Sequence, residues 1–100
     1  MRVLFTRQAR RSLGEIYERM YPYSPAAARR TRSNILRRAR QIAEHPESGR
    51  VVPEFGTRAV RELIEGPYRI WYRLWDDRIE VLAVFHGSRD VGGQPESQAG

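Results

Sequence analysis

The hydrophobic pattern of this chain changes period once, and that change limits the folds open to it. From Ala9 to Ile42 apolar residues return every three or four positions; from Tyr68 to Leu74 they return every second position. The first spacing lines one face of a helix, the second one face of a strand. In the helical part Ala9, Leu13, Ile16, Tyr17 and Met20 form one stripe, with Arg10, Arg11, Glu15, Glu18 and Arg19 largely outside it. Thr6 offers a capping oxygen before this stripe, and Pro22 stops it. Ser24-Pro25 opens a second helix whose buried stripe is Ala28, Thr31, Ile35, Ala39 and Ile42, with Leu36 and Ala43 beside it. Pro46 disfavours continuation, so this helix is expected to end at about His45. The short break between the two predicts an antiparallel hairpin.

Residues 2–5 (RVLF) predict a short strand, and three more are expected at about 59–64, 68–75 and 78–86. Gly66-Pro67 and Asp76-Asp77 separate the last three, breaks short enough for antiparallel hairpins. The stretch 46–56, PESGRVVPEFG, reads as a loop in which Arg50–Val52 pairs briefly. The expected fold is α+β in the order β-α-α-β-β-β: an antiparallel sheet with a helical hairpin packed on one face. Residues 1–90 are expected to form one domain and 91–100, VGGQPESQAG, a flexible tail with nothing to bury.

A two-helix layer covers one face of a small sheet and leaves the other open. Tyr68, Ile70, Tyr72 and Leu74 are the better core set, which puts Arg69, Trp71, Arg73 and Trp75 on the open face. The inverted assignment would bury both tryptophans. An open face built of Arg and Trp either works on a phosphate or holds another macromolecule.

Charge bears on that choice. All 18 basic residues are Arg, and the net charge is +6. Arg stays protonated at any working pH, so it binds carboxylates and phosphates but shuttles protons poorly. A general base must come from Glu, Asp, His or Tyr, while the basic excess suits an acidic partner. Cysteine is absent and the two histidines lie far apart, so neither a metal centre nor any other cofactor is expected. No apolar run approaches the roughly 20 residues that span a bilayer, and MRVLFTRQARR lacks the apolar core of a signal peptide. The expected location is the cytoplasm, away from membranes.

With these elements in order, several stretches resemble one family. Ser24-Pro25 at the second helix, HPESGRVVPE after it, RELIEGPYRIWYR and the terminal VFHGSRD are similar to the RelE/ParE superfamily of bacterial type II toxins. The resemblance spans residues 2–90. The run from Pro46 to Glu54, Arg61-Glu62-Leu63, Tyr68-Arg69-Ile70 and His86-Gly87-x-Arg89-Asp90 look closer to the ParE branch. It implies a cognate antitoxin that wraps the toxin in a hetero-oligomer and silences it. ParE-type members poison DNA gyrase; RelE-type members cut mRNA on the ribosome. A third possibility is a decayed toxin left with antitoxin binding and operon repression.

The resemblance also implies residue roles. In the RelE-like reading Arg69 and Arg89 would hold the phosphate, and Glu62 or His86 would serve as base. Against it, the two lysines typical of the preceding strand are replaced by Val60 and Glu62, and no tyrosine follows Tyr72 to match the C-terminal one. Plainer roles are open too: an ion pair for Arg69, a structural hydrogen bond for His86, and a local pair for Arg89-Asp90. In the ParE-like reading Arg69, Trp71, Arg73, Trp75 and Arg89 are a clamp for the antitoxin or another partner. That surface needs no proton transfer.

Overall fold

The computed structural model describes residues 1–88. Arg89, Asp90 and the tail expected at 91–100 lie outside the described residues. The elements are β1 (Arg2–Phe5), α1 (Arg7–Met20), α2 (Pro25–Gln41), β2 (Arg50–Val51), β3 (Val60–Glu65), β4 (Tyr68–Leu74) and β5 (Arg78–His86). A single 3₁₀ turn, Pro53–Phe55, lies between β2 and β3.

Both helices begin where their capping residues dictate. Thr6 Oγ1 accepts the Ala9 N–H at 3.1 Å, and Ser24 Oγ accepts the Ala27 N–H at 3.1 Å. Each hydroxyl satisfies an amide that has no partner within its helix. The second helix ends at Gln41, not His45. From Ile42 to His45 each amide reaches back only three residues, as Ile42 N–H does to the Ala39 carbonyl. The chain thus tightens into turns before Pro46.

The sheet runs β1-β5-β4-β3-β2. It is antiparallel except where β1 lies parallel to β5, with Val3 opposite Ile79. That parallel edge was outside the expected order of hairpins. It follows from an even number of reversals: the helical hairpin and the antiparallel β2, β3 and β4 bring β5 back in the direction of β1. The brief pairing expected at 50–52 is β2, with Arg50 opposite Glu62 and Val51 opposite Arg61.

The main core lies between the helices and the sheet. Ala9, Leu13, Ile35, Ala39 and Ile42 meet Leu63, Tyr68, Ile70, Tyr72, Ile79 and Val81 there, with Leu74 packed against them. The β4 residues chosen as core are therefore on the helix side. Buried Tyr72 also ties down the loop after α2: its hydroxyl donates to the Pro46 carbonyl at 2.8 Å and accepts the Gly49 N–H at 3.0 Å. A Cβ on Gly49 would sit 2.6 Å from that hydroxyl, so the approach requires glycine.

The far face departs from expectation. Val52, Val60, Trp71, Ala83 and Phe85 form a second buried cluster there, with Phe55 and Leu82 packed against it. The 3₁₀ turn brings Phe55 edge-on to the Trp71 ring at 5.4 Å, and Phe85 meets the same ring at 4.9 Å. Trp71 is 2% exposed, which corrects its place on an open surface. A register shift between Trp71 and Tyr72, where Ala83 and Val81 are the successive partners, gives β5 one extra residue, Leu82. The resulting bulge supplies both Leu82 and Ala83 to this second cluster.

Candidate partner-binding site

The sequence-predicted residues separate into three places. Glu62 and Arg69 meet on the far face beside Trp71. Glu62 stands opposite Trp71 across β3 and β4, and its side chain is 1% exposed. Its carboxylate accepts the Trp71 indole N–H at 2.7 Å, Arg50 Nε at 3.0 Å and an Arg69 guanidinium nitrogen at 3.4 Å. Burying a carboxylate is costly unless cations and donors surround it, and here three do. Arg69 runs past Gly87, where a Cβ would lie 3.2 Å from its Nε. The glycine thus leaves room for the arginine to reach the carboxylate.

His86 points the other way. It pairs with Tyr68 across β4 and β5, and the two rings meet edge-on at 5.5 Å on the helix side. Its Nδ1 lies 2.6 Å from Ser88 Oγ and 3.1 Å from the Ser88 amide. There it borders a cleft of about 590 Å³ between α1 and the strand ends, lined also by Glu15, Arg19 and Tyr23. Glu62 and His86 therefore occupy opposite faces of the sheet and cannot serve one phosphate as acid and base. Glu62 also has its oxygens engaged by three donors, which leaves it poorly placed to take a proton from a substrate.

The third place is the end of the β4–β5 hairpin. Trp75 is exposed, and two cations lie against its ring, with Arg73 Cζ 4.4 Å and Arg78 Cζ 5.0 Å from the centroid. Its indole N–H donates to Glu80 Oε1 at 2.7 Å. These contacts fix a large aromatic surface in one orientation among arginines. Leu4 and Ile64 are also exposed, and their strand partners Glu80 and Arg69 place them on this same face. Arg73 and Trp75 are thus where the sequence placed them, while Trp71 supports the site from beneath. Sequence reasoning missed Arg50, Arg78 and Glu80. The last two share the face because Arg73 pairs with Glu80 across the strands, a register the sequence alone did not set.

The surface offers guanidinium groups and exposed apolar side chains around a buried carboxylate. Such groups are chemically suited to carboxylates or phosphates alongside apolar groups.

Comparison with known proteins agrees with this architecture. The family model described as ParE toxin of type II toxin-antitoxin system, parDE, matches residues 3–91. The chain is 32% identical over 88 residues to Toxin RelE2 of Caulobacter vibrioides, spanning 87% of this chain and 96% of that protein. The chromosomal ParDE toxin-antitoxin system of P. aeruginosa has a similar fold, with a TM-score of 0.72 and 22% identity over 86% of this chain and 95% of that one. The RelBE2 toxin-antitoxin complex of Mycobacterium tuberculosis aligns with a TM-score of 0.52 and 24% identity, over 85% of this chain and 88% of that one. The chain belongs to the ParE toxin family, within the RelE/ParE superfamily of type II toxin-antitoxin toxins.

Proposed function

We propose that this toxin acts by binding rather than by cutting RNA, that DNA gyrase in the cytoplasm is its target, and that a cognate antitoxin silences it in a hetero-oligomer. The observation that carries this reading is the separation of Glu62 from His86. RNA cleavage without a metal needs a base, an acid and a cation around one phosphate. Among the described residues Arg69 has only Glu62 beside it, and that carboxylate neutralises the cation instead of working with it. A partner held by Arg73, Trp75 and Arg78 needs no such constellation. An antitoxin segment that folds on contact would lay apolar residues on Trp75 and carboxylates on the flanking arginines.

The name of the Caulobacter relative, RelE2, favours one second reading: a ribosome-dependent mRNA endonuclease using Arg69 and Arg89. Inducing the toxin with its antitoxin withheld, while following plasmid topology and total mRNA in the same cells, separates the two. Accumulating cleaved or relaxed plasmid with intact transcripts is the expected result. Transcripts cut within codons while plasmid topology stays normal would establish the endonuclease instead.

A further inference from the structure

The positive charge of this protein is concentrated on its helices. Between Arg7 and Gln41 the hairpin carries ten arginines against two acids, Glu15 and Glu18. The rest of the chain has eight arginines and ten acidic residues, so the whole net charge of +6 originates in the hairpin. Nine of the ten arginines are exposed, and among the described residues none of the ten forms a salt bridge. On α2, Arg29, Arg30, Arg37 and Arg40 fall on the side opposite buried Ala28, Ile35 and Ala39. The antiparallel return of the chain places Arg7, Arg10 and Arg11 of α1 near the Arg37–Arg40 end.

We infer that this outer face of the α1–α2 hairpin is a docking surface for the phosphate backbone of duplex DNA. The inference goes beyond the proposed function and stands or falls separately from it. One feature favours DNA over an acidic protein. No large apolar side chain of either helix is exposed; the nearest are Tyr21 and Tyr23 in the turn. Protein interfaces depend on such anchors, whereas a phosphate backbone is held by cations alone. The sheet face, with Trp75, Leu4 and Ile64 among its arginines, has the opposite character. The absence of an aromatic platform on the helix face also favours a duplex over a single strand, whose bases stack on aromatic rings. In length, Arg29 to Arg40 covers about 16 Å of helix axis. That matches about five phosphates of one strand at about 3.4 Å each.

Fluorescence anisotropy of the full chain on a labelled 25-base-pair duplex, measured across a series of salt concentrations, tests the inference. A double-logarithmic slope of about −3 to −5 is expected for the wild type. Replacing Arg29, Arg37 and Arg40 together by Gln should weaken binding at least tenfold and reduce the slope by about three. Replacing Arg2 and Arg58, exposed arginines outside the hairpin, by Gln should change neither. Equal losses per arginine from both variants would overturn the inference, as would a wild-type slope near zero. It would also fail if polyglutamate, RNA duplex or single-stranded DNA of the same charge displaced the duplex as effectively as unlabelled duplex does. Circular dichroism of each variant checks folding; should the triple not fold, the single replacements Arg29→Gln, Arg37→Gln and Arg40→Gln, each expected to reduce the slope by about one, decide instead.

Discussion

Glu62 and Trp71 face each other across β3 and β4, and the indole N–H of one donates to the carboxylate of the other at 2.7 Å. The pair makes Glu62 part of the framework: it is buried, and it draws Arg50 and Arg69 to the same point. Replacing it by Ala leaves the Trp71 indole without an acceptor in an apolar cluster. Arg50, with a side chain 60% exposed, can turn to water, so the loss falls on the indole and on Arg69, which is only 31% exposed. The expected destabilisation is about 1–3 kcal/mol, read by urea denaturation. Glu62→Gln, which keeps an acceptor oxygen, should cost less. A Glu62→Gln protein of unchanged stability that had lost an RNA-cleaving activity would place Glu62 in catalysis instead.

Tyr72 gives the fold a dependence on alkaline pH. Burial pushes its phenol above the ordinary value of 10.0, while the Gly49 N–H and the Arg61 and Arg38 charges pull it partway back. A phenol whose folded pKa is raised stabilises the protein fully below the unfolded pKa, and that contribution is lost as pH rises through the folded value. Urea midpoints should therefore hold up to about pH 10, the ordinary phenol's pKa, and fall as the pH rises beyond it. Tyr72→Phe should lower stability at pH 9 by about 1–2 kcal/mol, through the lost hydrogen bonds to Pro46 and Gly49. It should also make the alkaline decline shallower; an unchanged decline would show that Tyr72 does not titrate in this way.

The two tryptophans should separate stability from binding. Trp71→Ala removes the centre of the second core and should cost about 3–5 kcal/mol. Trp75→Ala removes an exposed ring and should leave thermal stability within a few degrees of wild type. The same change should weaken capture by the antitoxin by about 2 kcal/mol or more, measured by calorimetry on the co-expressed pair's separated components. Normal antitoxin affinity in the Trp75→Ala protein would remove the hairpin end from the interface.

Much of this was readable before the structure, and the remainder had physical causes. Thr6, Ser24-Pro25 and the two apolar stripes specify the helices because capping and a 3.6-residue period act locally. The alternation in Tyr68–Leu74 specifies which side faces the helices for the same reason. Burial of Trp71 is different, because it requires Phe55 to fold across the sheet from a loop whose position depends on the β2–β3 pairing. The engagement of Glu62 depends on that pairing as well, since Arg50 reaches it only in this register. The end of α2 at Gln41 was missed because Pro46 limits how far a helix can run without requiring it to run so far. The Trp75 surround was only half legible: Arg73 follows from alternation within one strand, but Arg78 and Glu80 arrive through the β4–β5 register.

The most direct test of a toxin that works by binding is a parallel assay of the purified full chain on two targets. One reaction holds gyrase with supercoiled plasmid; the other holds programmed ribosomes with labelled mRNA. The expected result is gyrase trapped or inhibited on the plasmid, relieved by added antitoxin, with the mRNA intact. Cleavage of the ribosome-bound mRNA with gyrase unaffected would contradict it.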